Sequence, residues 1–412
     1  MNILVVSQYF WPESFIINDL VKNLAAKGHV VKVLTGKPNY PEGAIFDGYS
    51  ASGYSEQRYG TNVTVCRAPL RPRFTSGAKN LVLNYLSFVV NGLRFYPKAV
   101  KGQHFDAIFV FAPSPIISAI PAIYLKWKLK AHLAIWIQDL WPESLSATGF
   151  IKNNQVLRLV GYLVKWIYSA ADTLLVQSRA FREPVSRYAD TSKIVYYPNS
   201  YQEVHSDTHP TRIPAELLDE LSNNFCLVFA GNLGTAQSVE TLVEVADKLK
   251  HLSGLRIMLV GSGSMSAWIK SEKESRKLDN LVLAGRFAAD EMPHFFSRAG
   301  GLLVTLRRDE AFSYTIPSKV QAYLAAGRPI VAALDGEGAR VIDEAKAGFT
   351  SPADDAADMA RRIEQLYHMS AAERDSLGQS GRAYYLEHFE MGRQSERLVE
   401  ILGIRINELK GN

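Results

Sequence analysis

The sequence predicts two α/β domains in tandem, each an open, doubly wound and mostly parallel sheet. Three observations carry this. Short apolar runs alternate with stretches of helical spacing in both halves of the 412-residue chain, the pattern of repeated βαβ units. A polar, proline-dotted stretch from Pro198 to Asn224 interrupts the alternation and marks a linker. Beyond it, FCLVFAGNLGTAQ at 225–237 restarts the series as a buried strand, a glycine turn and a helix beginning near Gln237.

In chain order, residues 2–7 (NILVVS) form a first buried strand, followed by the loop QYFWPES and a helix from about Phe15 to Lys27. Gly28 ends that helix by supplying a left-handed cap, His29 beside it is structural, and 30–35 (VVKVLT) make the second strand. Further strands are expected at 63–68, 106–112, 131–137 and 172–177. Residues 107–125 carry no charge, yet Pro113, Pro115 and Pro121 suit a strand, a loop and a short helix rather than a membrane span. Residues 79–101 and 152–168 place apolar residues at helical spacing among basic ones; each lies in a lipid headgroup layer or packs as an ordinary core helix. In the second half, strands are expected at 255–260, 281–284, 301–305 and 330–334, and helices near 355–369, 371–387 and 391–409. The domains are then 1–198, a linker 199–224, a second domain 225–388, and a terminal helix 389–412 packing back towards the first.

Composition bounds the function. The chain is 47% hydrophobic and 21% charged, as in a water-soluble globular protein, and its two cysteines, Cys66 and Cys226, give no disulfide framework or zinc site. The N-terminus lacks the basic region and cleavage site of a signal peptide, so a cytosolic setting is expected. Residues 1–200 hold 22 Lys and Arg against 11 Asp and Glu, whereas 201–412 are net acidic. The basic first half suits an anionic membrane face or a phosphate-bearing acceptor; nucleic acid is not expected, because interleaved aromatics and an RNA-binding signature are missing.

Open α/β sheets bind ligands outside the carboxyl ends of their strands. In the second domain those loops carry Gly231, Asn232, Leu233, Gly234 and Gln237, then Gly261, Arg286 and Phe287, and finally Ser318, Lys319 and Gln321. Backbone N–H groups after Gly231 and Gly234 either hold a phosphate or serve an ordinary strand-to-helix connection. Lys319, at the start of a helix running to Ala326, can meet a diphosphate, and Arg307 and Arg308 can add charge. In the first domain the loops present Glu13 and Ser14, Asn39 and Tyr40, and the stretch 137–144, where Asp139 follows an apolar strand. Asp139 holds or deprotonates an acceptor hydroxyl, orients the transferred sugar, or caps a turn before Pro142. Residues 7–13 have no GxGxxG, which argues against a dinucleotide oxidoreductase.

Over its whole length the chain resembles the family 4 nucleotide-sugar glycosyltransferases of the GT-B fold, two Rossmann-like domains facing a central cleft. The resemblance rests on the opening strand and PE loop, GHVVKVLTG at 28–36, the FAGNLG turn and AAGRPIVA at 325–332. PNYPEG at 38–43, QDLWPES at 138–144 and PSKVQAYLAAG at 317–327 resemble the branch that makes O-antigen and colanic acid, including enzymes assigned to transfer L-fucosamine.

The resemblance implies that the second domain binds a UDP-sugar, that the first receives a lipid-pyrophosphate-linked glycan at the cytoplasmic membrane face, and that transfer retains configuration without metal or other cofactor. Departures from the family pattern bear on the site. Asn232 and Gln237 stand where the family usually has Arg and Lys on the diphosphate, so Lys319 and backbone N–H groups are expected to take over. Of the family's two glutamates eight residues apart, Glu310 keeps its place beside the donor sugar, whereas the second place is Ser318 or Ala322 by different counts, with Gln321 gripping the ribose instead. Gln138 and Asp139 fill the position of the family's first-domain histidine. The alternatives are an NAD-independent nucleotide-sugar epimerase on the same architecture and, less favoured, a two-lobed solute-binding protein.

Overall fold

The structure, a computed structural model, describes residues 1–74, 77–147, 153–204 and 212–410. In chain order its first elements are β1 (Asn2–Ser7), α1 (Ile16–Ala26), β2 (Val30–Thr35), β3 (Ser55–Arg58), β4 (Val63–Arg67), α2 (Ala78–Ala99) and β5 (Ala107–Ala112). Then come α3 (Ile120–Leu129), β6 (His132–Ile137), α4 (Glu143–Ala147), α5 (Asn154–Ala170), β7 (Thr173–Val176), α6 (Arg182–Ser186) and β8 (Ile194–Tyr196). The second series runs α7 (Ala215–Asn223), β9 (Phe225–Ala230), α8 (Val239–Lys248), β10 (Leu255–Val260), α9 (Ser266–Arg276), β11 (Leu281–Gly285), α10 (Met292–Arg298) and β12 (Gly301–Thr305). It closes with α11 (Glu310–Ser313), α12 (Ser318–Ala326), β13 (Ile330–Ala333), α13 (Glu337–Glu344), β14 (Gly348–Ser351), α14 (Ala356–His368), α15 (Ala371–His388) and α16 (Met391–Lys410).

Unit 1 comprises Met1–Asn199 and the C-terminal helix α16. Its sheet has the order β3-β4-β2-β1-β5-β6-β7-β8, parallel except for β3. Continuous apolar runs such as AIFVFA and HLAIWI are buried along their whole length because helices cover both faces. Ile3, Val5, Phe109 and Trp136 pack with α1 and α16 in one core. Leu4, Val6, Ile108 and Ile135, alternating with them, are equally buried, beneath the α2, α3 and α5 layer. Gly28 ends α1 at φ +84°, as its cap role requires. The uncharged stretch at 107–125 is β5, a tight turn and the start of α3, and no helix among the described residues is long and apolar enough to cross a membrane.

Unit 2 spans Ser200–Glu390, and its sheet, β11-β10-β9-β12-β13-β14, is parallel throughout. The stretch 199–224 is more than a linker. Tyr201 donates its N–H to the Phe389 carbonyl, Glu203 pairs with Arg382, and ELLDEL within α7 turns Leu221 into the core. Residues 205–211 of that stretch lie outside the described residues. Strands β3, β8 and β14 add to those expected from sequence.

Candidate functional site

The carboxyl ends of β9, β10 and β11 open onto a cavity of about 1100 Å³ in unit 2. Its wall is built from Gly231 and Asn232 after β9, Gly261–Gly263 after β10, Arg286–Ala289 after β11, and Ser318, Lys319, Ala322 and Tyr323 of α12. Two turns meet here at a distance only glycine permits: a Cβ on Gly261, at φ +150°, would lie 1.8 Å from the Gly231 carbonyl oxygen. The Tyr323 hydroxyl accepts the Ala230 N–H at 2.9 Å and fixes the end of β9 against α12. Phe287 and Phe296 supply aromatic surface, and among the described residues no Asp or Glu lines the cavity.

Lys319 and Arg286 are the Lys and Arg among the described residues of that wall. The Lys319 side chain lies along the Gly231 turn, so close that a Cβ on Gly231 would stand 2.7 Å from Lys319 Cε. Its Nζ donates to Gln237 Oε1 at 2.6 Å and sits 3.6 Å from the centre of the Phe229 ring. Burial pushes its pKa down to about 7. An ammonium held beside a glycine turn, with no carboxylate among the described residues of the cavity wall, is poised for an anionic ligand.

The helix expected to begin near Gln237 is α8, entered through a tight turn. Thr235–Gln237 form a 3-10 turn, Ser238 follows in the left-handed region at φ +45°, and α8 begins at Val239. Asp354 already sits at that terminus, its Oδ1 accepting from Ser238 Oγ. The N–H groups of Gly231, Leu233 and Gly261 likewise donate to the Val260, Ser262 and Gly285 carbonyls, so an anion here meets Lys319 rather than the first turn of α8.

Of the expected donor-binding residues, Gly231, Asn232, Gly261, Arg286, Phe287, Ser318 and Lys319 line the cavity, and Gln237 reaches it through Lys319. Leu233 is buried, and Gly234 packs beside the Asn232 amide. Gln321 is 2% exposed and off the cavity wall, because it projects from α12 in another direction than Ser318 and Ala322. Glu310 is exposed, caps no part of the cavity, and accepts the Tyr314 hydroxyl at 2.6 Å. Arg308 turns to Asp335 and the Ala353 carbonyl.

In unit 1, Asp139 follows β6 on the floor of a mostly apolar groove of about 300 Å³ lined by α2, α4, Val160 of α5 and the Ser114–Pro115 turn. Burial raises its carboxyl to about 6, against the pull of Ser144, Trp141, the Leu140 N–H and Ser114. Glu13 is a correction. It is 2% exposed, and its carboxylate accepts the N–H groups of Asn39 and Tyr40, both at 2.8 Å, and of Phe10 at 3.2 Å. It ties two loops together and has little left to offer an acceptor. Asn39 is fully buried, with Oδ1 accepting from the Arg73 N–H and Asn84. Ser14 is exposed and Tyr40 partly so. The sequence reading missed Arg73, which stands over the rings of Tyr9, Tyr40 and Tyr85; no local motif signals such a meeting of three segments. Among the described residues no cluster of His, Cys, Asp and Glu has the makings of a metal site.

A family model for the glycosyl transferase 4-like domain matches residues 15–200, and one for glycosyl transferases group 1 matches residues 224–369. A chain of Escherichia coli (strain K12) named for colanic acid biosynthesis glycosyl transfer is 26% identical over 347 residues, covering 79% of this chain and 82% of that one. The O-antigen chain mannosyltransferase C of Escherichia coli is 21% identical and covers 97% of this chain and 98% of its own. Anabaena HepE, solved in complex with UDP, shares the fold with a TM-score of 0.66 at 12% identity, covering 98% of this chain and 100% of that one. Sucrose-phosphate synthase from Thermosynechococcus elongatus does so with a TM-score of 0.71 at 14% identity, covering 97% and 98%. With one such model over each unit and two parallel-sheet domains behind them, the chain belongs to the family 4 glycosyltransferases of the GT-B fold.

Proposed function

We propose that the protein moves a sugar from a UDP-sugar held in the unit 2 cavity onto a hydroxyl of a lipid-linked glycan in O-antigen or related surface-polysaccharide synthesis. The work takes place at the cytoplasmic membrane face. An amino or deoxy sugar such as N-acetyl-L-fucosamine is the favoured cargo. The observation that carries this reading is the cavity at the carboxyl ends of β9, β10 and β11 with Lys319 laid along the Gly231 turn. Breaking the anomeric bond puts negative charge on the departing diphosphate, and Lys319, held in place by Gln237, is preorganised for it. Arg286 adds a second cation at the rim, and Phe287 offers a surface for a base. In unit 1, the Asp139 carboxylate meets the acceptor hydroxyl. In a retaining route the leaving phosphate itself accepts the acceptor proton, so Asp139 positions rather than deprotonates. The reading invokes no metal.

The names of the relatives, which concern colanic acid and O-antigen chains, support the pathway. Incubation with a panel of nucleotide sugars and a pyrophosphate-lipid acceptor, followed by mass spectrometry, tests the proposal. Transfer should require both substrates. A sugar altered with acceptor omitted would instead establish the epimerase.

A further inference from the structure

Helices α2, α3 and α5 form one layer of unit 1, α2 packing on α3 and α3 on α5. Together they hold seven Lys and Arg and no Asp or Glu. Lys126 is turned onto Asp172, while Lys79, Arg94, Lys98, Lys128, Arg158 and Lys165 are exposed. Between these cations the outward faces are apolar. Val82, Leu86, Val90 and Leu93 make a stripe along α2, Leu159, Tyr162 and Trp166 another along α5, and Trp127 of α3 is 84% exposed. Large side chains left in water in two stripes, with Trp127 on the helix that joins them, exceed the scatter of a normal surface.

We propose that this layer docks on an anionic lipid bilayer, with Trp127, Leu159 and Tyr162 entering the headgroup region. The inference rests on the lipid-linked acceptor proposed above and names the surface that meets its membrane. Charge decides the occupant. Six exposed cations would face six more in a symmetric pairing with a second copy, whereas an anionic leaflet neutralises all of them. Aromatic rings between Lys and Arg side chains are the composition of an interfacial helix.

A second feature agrees. A groove of about 460 Å³ along α5 is lined by Arg158, Lys165, Arg187, Tyr162 and Tyr188; Arg187 is paired with Glu183, which leaves Arg158 and Lys165 to suit a lipid phosphate. The Asp139 groove, moreover, opens at Val82 and Leu86 of the same layer. An acceptor anchored in the bilayer therefore reaches Asp139 from the lipid surface.

The test is co-sedimentation of the full chain with vesicles of phosphatidylcholine and phosphatidylglycerol, and with vesicles of phosphatidylcholine alone. Partitioning should be roughly 100-fold stronger on the anionic vesicles and should fall as salt is raised. Changing Trp127, Leu159 and Tyr162 together to Ala should weaken it at least about tenfold. A second variant, Arg158→Glu with Lys165→Glu, should weaken it with all aromatics in place. Equal binding to neutral vesicles, no binding, or unchanged binding in both variants would overturn the proposal, as would a dimer that the aromatic triple variant dissolves. UDP binding, measured by calorimetry on the same samples, should not change in any of them. Loss of UDP binding in the wild type would sink the glycosyl-transfer reading and leave the vesicle result standing.

Discussion

Donor affinity should fall above neutral pH as Lys319 loses its charge. Burial holds this ammonium at about 7, so near that pH roughly half of the free protein carries it. A diphosphate at the Gly231 turn favours the charged form and raises the pKa in the complex. Below the free-state value the lysine is already protonated, and affinity is flat with pH. Above it each donor that binds must draw in a proton, and Kd rises about tenfold, or about 1.4 kcal/mol, per pH unit. From about pH 6 to about pH 8.5 the weakening amounts to roughly 30-fold. UDP-glucose is the better probe, because its diphosphate lacks the terminal ionisation near about pH 6 that UDP carries. Calorimetry in two buffers of different protonation enthalpy should report uptake of about half a proton per donor near pH 7. Lys319→Met should bind weakly with a flat profile. A flat wild-type profile, or the same slope in the Met variant, would refute the placing of the diphosphate beside Lys319.

Three further outcomes follow from the same contacts. Without ligand, Lys319→Met should raise thermal stability at neutral pH by about 1–2 kcal/mol, a figure kept small by solvent at the cavity mouth. Because the unfolded lysine titrates near 10.4 and the folded one near 7, the wild type gains stability between those values and the gap should close as pH rises. For Asp139, kcat/KM for acceptor should drop below about pH 6 as the carboxylate protonates, and Asp139→Asn should be slow and lose that limb; an unchanged limb would remove Asp139 from the site. Glu13→Gln would turn an NH2 group toward a backbone N–H, so thermal unfolding should show a loss of about 1–3 kcal/mol with UDP binding intact. A stable variant with a raised acceptor KM would instead return Glu13 to the acceptor site.

How far the sequence revealed this molecule depends on how locally each feature is encoded. Strands buried on both faces announce themselves, as FCLVFA and LRIMLV do. The edge strand SEQR does not, because its exposed side chains leave only β4 to specify it. The acidic pair sought at Glu310 and eight residues on dissolved for a geometric reason. Counting forward gives Ser318 and counting back gives Ala322, which are one helical turn apart, and both face the cavity. Gln321 lies about 100° around the helix from Ala322 and is buried. Glu13 misled because its loop motif is visible while its partners, the N–H groups of Asn39 and Tyr40, lie 26 and 27 residues away.

In the proposed donor site the uncharged residues at 232 and 237 leave the charge at this turn to Lys319. A diphosphate needs cationic or N–H partners wherever it binds, and at this turn Asn232 and Gln237 bring no charge. Lys319 ends 2.6 Å from Gln237 Oε1, so its ammonium occupies the space that a cation at position 237 would otherwise approach. A lysine at 237 would put two ammonium groups side by side in a half-buried site, each lowering the other's pKa. Installing Gln237→Lys alone should therefore weaken UDP-glucose binding, whereas Gln237→Lys combined with Lys319→Met should recover much of the wild-type affinity. If the single variant bound more tightly instead, the two positions would not share one subsite, and the substitution at 237 would have to be explained without Lys319.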